Sequence, residues 1–180
     1  MKIAPVQPGK EVNMFDKFGE FDSVEELNRA AAGQKAEGDE EALLILAEEN
    51  GIDREDAEDY MDDCTEELAT PLMAAMGKLK VEIEDLKLNA VLLDWVQELQ
   101  AECTESEEMA RAVRKKGKGL DGYIALLAET GFKNKAVVDK RIVAKCGKQI
   151  KDIVGNHEFY IGIPDKFTRK KLMQQYYLGK

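Results

Sequence analysis

Ala47, Gly51 and Ala57 carry the spacing of a helix-turn-helix. Small side chains at the outer positions and glycine in the turn let two helices meet at a steep angle. The flanking residues agree with this reading. Leu43, Leu46 and Ala47 share one face of a helix capped by Asp39 and ended by Gly51. After Asp53, a second cap, Ala57, Tyr60, Met61, Cys64 and Leu68 recur at helical intervals.

Helix punctuation continues along the chain. Ser23-Val24-Glu25-Glu26 is a capping box, opening a helix that should run to about Ala32 and end near Gly33. Thr70-Pro71 starts another over 71–79, since proline at the first helical position lacks only an amide that would be unpaired anyway. Leu86, Val91, Leu92, Trp95, Val96 and Leu99 predict a helix over 84–103, and Thr104-Glu105-Ser106-Glu107 opens one to about Lys116. Residues 120–130 read as helix up to Gly131, and 134–147 as helix too, although Val137-Val138 and Ile142-Val143 leave a strand open there. Residues 158–163 form the clearest strand, closed by Pro164, with 149–155 expected as its hairpin partner through Gly155-Asn156. Asp165 then begins a basic helix to about Leu178, and Pro5, Pro8 and Gly9 make 1–13 an extended tail. The expected fold is mostly α: a helical bundle with a helix-turn-helix-like acidic hairpin and a small β-hairpin near the C-terminus.

Charge divides the chain more sharply than any linker. Residues 1–108 hold 30 Asp/Glu against 9 Lys/Arg, and residues 109–180 hold 6 against 17. An acidic helical region over 14–108 and a basic α+β region over 109–180 follow, as two domains or one continuous one. The first repels nucleic acid and attracts surfaces built to hold it, while the second does the reverse. Such a chain is suited to nucleic-acid machinery as a partner.

The acidic charge concentrates where a DNA-binding protein would place its reading helix. Asp53, Glu55, Asp56, Glu58, Asp59, Asp62 and Asp63 share that segment with a single base, Arg54, so phosphates would repel it. It reads either as a solvated face or as a set of carboxylates offered to a cationic cleft of another protein. An EF-hand is excluded, because Glu58 stands where the calcium loop needs glycine. Arg111, Arg114, Lys115, Lys116 and Lys118, with Arg169, Lys170 and Lys171 in the last helix, read either as cations at helix ends or as a patch for phosphate or an acidic surface. Tyr176-Tyr177 would stack on bases or pack the final helix down.

Catalytic signatures are missing. His157 lies in a turn without a neighbouring nucleophile, and no metal-ligand spacing or nucleophile elbow occurs. A non-enzymatic protein without metal or cofactor is expected. Cys64, Cys103 and Cys146 are scattered, reading as reduced core thiols of a cytoplasmic protein. The N-terminus has no apolar signal core and the longest apolar runs are too short to cross a bilayer, so no membrane partner is expected.

Segments at 18–23, 47–60, 69–75, 112–118 and 160–164 carry a resemblance. They include Phe18-Gly19-Glu20-Phe21-Asp22-Ser23, Asn50-Gly51-Ile52-Asp53, Thr70-Pro71-Leu72-Met73, Arg114-Lys115-Lys116-Gly117-Lys118 and Tyr160-Ile161-Gly162-Ile163-Pro164. In these the chain resembles a family of small acidic proteins of phages and other mobile elements that includes a type II-A anti-CRISPR protein, an inhibitor of Cas9. The resemblance implies a protein of the bacterial cytoplasm that binds Cas9, in its guide-loaded form, and interferes with DNA binding or cleavage. It designates no contact residues. Cas9 holds its guide–target duplex in a basic channel and reads the PAM with arginines, which gives the acidic face a target. The basic half would then lie against guide RNA, DNA or an acidic part of the effector. The alternative is a nucleic-acid-binding accessory protein of a plasmid, phage or conjugative element.

Overall fold

Ten helices and one two-stranded sheet account for the secondary structure of the described residues, 15 and 17–180, in the computed structural model. The tail expected over 1–13 lies outside them. The chain packs as two units that divide between Gly117 and Lys118.

The first unit holds α1 (Val24–Glu37), α2 (Glu40–Glu49), α3 (Arg54–Met61), α4 (Pro71–Asp85), α5 (Val91–Glu105) and α6 (Glu107–Arg114). Its caps follow the sequence closely. Ser23 Oγ accepts from the Glu26 amide at 3.2 Å, while Glu26 Oε2 reaches back to the Asp22 amide at 2.7 Å. Asp39 caps α2 and Thr70 caps α4 in the same way. The second box, expected from Thr104, is corrected: Thr104 lies inside α5 and donates to the Gln100 carbonyl, and Ser106 alone caps α6, its Oγ accepting from the Met109 amide. α1 runs past Gly33 and stops at Gly38, which takes the left-handed conformation and satisfies the last carbonyls.

Leu27, Leu43, Leu46, Ala57, Leu68 and Ala74 form the centre of a core shared by α1–α4. α4 also packs against α5 and α6. α6 was expected in the basic region, yet Met109, Ala110, Ala112 and Val113 are buried in the acidic one. Charge changes sign at about residue 108, whereas packing divides at 117. The helix expected over 84–103 is broken. α4 continues to Asp85, and the chain turns through Lys87 and Ala90, at φ 51° and 49°, before α5.

The α2–α3 hairpin forms where the small-residue spacing places it, with Ala47 and Ala57 both buried. Its turn is seated on α4 main chain against main chain. A Cβ on Gly51 would lie 2.2 Å from the Gly77 carbonyl oxygen, and one on Gly77 would lie 2.2 Å from that of Asn50.

The second unit holds α7 (Leu120–Lys133), β1 (Ala136–Val138), α8 (Lys140–Val143), α9 (Lys148–Val154), β2 (Phe159–Ile161) and α10 (Lys166–Leu178). β1 and β2 are antiparallel, with Val137 opposite Tyr160. The expected strand pairing is therefore corrected. Residues 149–155 fall within and just after a helix bracketed by Gly147 and Gly155, and the partner of β2 comes from 136–138, inside the segment expected as helix. The reason is local: β-branched Val137 and Val138 suit a strand, and Asp139 accepts from the Arg141 amide to start α8 directly afterwards. The sheet is thus closed by two short helices, with no tight hairpin turn.

Tyr176 and Tyr177 pack α10 onto α7. Their rings meet edge to face at 4.8 Å and both lie beside Tyr123, while Tyr176 Oη donates to the Gly119 carbonyl.

Candidate partner-binding surfaces

α3 turns Ala57 and Tyr60 into the core, which leaves its carboxylates outside. Three of the seven are matched by cations. Asp53 Oδ1 lies 2.8 Å from Lys80 Nζ, Glu58 pairs with Arg54 at 2.6 Å one turn back, and Asp63 pairs with Lys35 at 2.6 Å. Asp53 holds the N-cap position but its side chain makes no cap bond, being turned to Lys80. Among the described residues Glu55, Asp56, Asp59 and Asp62 have no ion pair. Asp56 is half-buried, whereas Glu55, Asp59 and Asp62 are exposed and fall at i, i+4 and i+7 on one stripe. Asp59 and Asp62 sit at the C-terminal end of α3, where the helix dipole disfavours anions. Those two therefore cost local stability, whereas Glu55 in the first turn is favourably placed.

Not all of the expected basic residues are available at the surface. Arg114 is corrected outright: it is fully buried, bonds Asn50 Oδ1 at 2.7 Å and lies over the Phe21 ring. It sits on the inward face of α6, beside Ala110 and Val113, and so cannot meet phosphate. Burial lowers its pKa, opposed by Glu20, Glu82 and Glu26. Arg111 is neutralised by Glu107 at 2.8 Å and by Glu25. Lys115 and Lys116 remain exposed in the first unit. In the second, Lys118 donates to the Tyr176 carbonyl at 2.6 Å, and Arg169 donates to that of Pro164 at 2.6 Å. Lys170 and Lys171 are exposed on α10.

A buried polar cluster in the first unit has no counterpart in the sequence reading. Lys78, 1% exposed, places Nζ 2.8 Å from Glu20 Oε1 and 3.6 Å from Glu82 Oε1, and donates to the Lys115 carbonyl at 2.8 Å. Two acceptors at hydrogen-bond distance and a third carboxylate at ion-pair distance thus surround one ammonium. Its placement among Ala74, Ala75, Gly77 and Leu79, all buried, was the available signal.

His157 is exposed in its turn, as expected, on the rim of a cavity of about 620 Å³ in the second unit, bounded by β1, α8, α9 and the start of β2. Among the described residues no group of three or more His, Cys, Asp or Glu side chains is arranged to hold a metal ion. No helix among them is long and apolar enough to cross a membrane. The expectation of core thiols holds for Cys103 alone. It is buried, and burial with the nearby Glu102 pushes its pKa up to about 12, whereas Cys64 is exposed. Ellman's reagent should therefore modify Cys64 promptly in the native protein and Cys103 only after denaturation; rapid native labelling of a C64S variant at Cys103 would contradict the packing of α5.

No protein-family model, curated protein or solved structure matches the chain.

Proposed function

We propose that the protein is a non-enzymatic inhibitor of type II-A Cas9, binding the effector through the acidic stripe of α3 and blocking DNA binding or cleavage. The stripe carries this reading: Glu55, Asp59 and Asp62 are exposed and without ion pairs among the described residues, and two of them stand where they weaken their own helix. The unit that bears it, through Gly117, has 30 Asp/Glu against 13 Lys/Arg. That field steers it toward a cationic groove and lets carboxylates compete with phosphate there. The segments resembling the anti-CRISPR family include the whole α2–α3 turn and most of α3.

Guide-loaded Cas9 is incubated with the protein, and target DNA cleavage is followed. The triple variant Glu55→Gln, Asp59→Asn, Asp62→Asn should lose inhibition about 100-fold or more, as charge pairs at close range are worth several kcal/mol. Its melting temperature should hold, because the penalty relieved at Asp59 and Asp62 offsets the favourable first-turn charge lost at Glu55. Undiminished inhibition by the folded triple variant would remove the stripe from the mechanism. Pull-down with guide-loaded and guide-free Cas9 then shows which form is bound. The accessory-protein reading places the function in the second unit, where Lys/Arg exceed Asp/Glu by 13 to 6, and predicts that the triple variant behaves as the parent.

A further inference from the structure

Exposed large apolar side chains are concentrated in the second unit, and two of them are rings flanking one lysine. Phe132 is 67% exposed and Tyr160 39% exposed. Lys135 Nζ lies 4.0 Å from the Phe132 ring centroid and 4.8 Å from that of Tyr160. The backbone makes this arrangement. Gly131, the last buried residue of α7, lies against Gly162 just beyond β2, so closely that a Cβ on either would fall within 2.4 Å of the other's carbonyl oxygen. That contact brings the end of α7 to the exit of β2, with Phe132 on one element and Tyr160 on the other. Val137, opposite Tyr160, adds an exposed aliphatic surface.

We propose that Phe132, Lys135 and Tyr160 form a stacking platform for single-stranded nucleic acid. One ammonium lies over both rings, and the rings keep solvent-exposed surface on which bases could stack. Aromatic residues on small sheets bind unpaired bases in this manner, with cations following the backbone. Charge selects the occupant. The unit has 13 Lys/Arg against 6 Asp/Glu, and Lys133 flanks Phe132, so a polyanion is favoured over an acidic or neutral apolar partner. Glu158 accepts a hydrogen bond from Tyr160 Oη, which ties it to the ring's edge. A duplex, whose bases are already stacked and paired, offers the rings nothing.

The proposal is independent of the Cas9 reading, and its test contains no Cas9. The full chain is titrated into fluorescein-labelled oligothymidylate of about 16 nucleotides and its duplex with oligoadenylate, with anisotropy as readout. About 0.1 M salt limits repulsion from the acidic unit to roughly 10 Å. Single strand should bind more tightly than duplex. Phe132→Ala and Tyr160→Ala should each weaken binding about five- to 100-fold, Tyr160→Phe should bind as the parent, and Lys135→Gln should lower the salt slope by about 0.7. Should Tyr160→Ala disturb folding, Phe132→Ala decides, its ring being mostly in solvent. Absent binding, equal affinity for duplex, unchanged affinity of Phe132→Ala, or capture of a protein through this face without oligonucleotide binding would each overturn the platform.

Discussion

Replacing Lys78 by alanine should cost about 3–5 kcal/mol of stability, the range for breaking a buried ion pair from one side. The ammonium is 1% exposed and serves Glu20, Glu82 and the Lys115 carbonyl together. Without it, Glu82 stays buried on α4 with one cation fewer beside it, and the Lys115 carbonyl loses its donor. The cost comes from those stranded groups more than from the attraction lost. Lys78→Met combined with Glu82→Gln should therefore recover part of the stability, since it removes the buried charge on α4 and leaves only the partly exposed Glu20 without the ammonium. Urea denaturation reads the difference as a lower midpoint at unchanged slope. A loss below about 1 kcal/mol in the single variant would mean that the ammonium reaches water.

Two glycines inside helices should respond to alanine in opposite directions. Gly77→Ala sets a methyl 2.2 Å from the Asn50 carbonyl oxygen, and main chain cannot swing aside as a side chain would. α4 must separate from the α2–α3 turn, costing about 1–3 kcal/mol or more. Gly33 lies inside α1 with nothing within 4 Å of an added Cβ, so Gly33→Ala should stabilise by about 0.5–1 kcal/mol through helix propensity alone. Thermal melts of the two variants decide it. Equal signs would show that the Gly51–Gly77 contact is not close.

What the sequence disclosed was local. Ser23, Asp39 and Thr70 cap where their side chains dictate, and Ala47, Gly51 and Ala57 build the hairpin from adjacent residues. The outward acids of α3 were legible for the same reason, because helical periodicity assigns Ala57 and Tyr60 inward. Distance in sequence hid the rest. β1 and β2 pair across twenty intervening residues, and no short-range signal separates that partner from the nearer apolar run at 149–155. Arg114 and Lys78 defeated a rule that treats cations as surface groups. Their burial depends on Asn50, Glu20 and Glu82, which meet them only in three dimensions. Arg111, three residues before Arg114, faces outward on the same helix, so composition could not tell the two apart.

The main-chain joint between Gly51 and Gly77, with the Asp53–Lys80 and Asp63–Lys35 pairs, leaves Glu55, Asp59 and Asp62 no part in holding the hairpin in place. Their chemistry can be exchanged wholesale, with lysines for carboxylates or neutral amides for either, while the framework beneath keeps its register. Specificity on this hairpin is thus a replaceable facing, and a library varied only at Glu55, Asp59 and Asp62 could be aimed at new targets from one unaltered chassis.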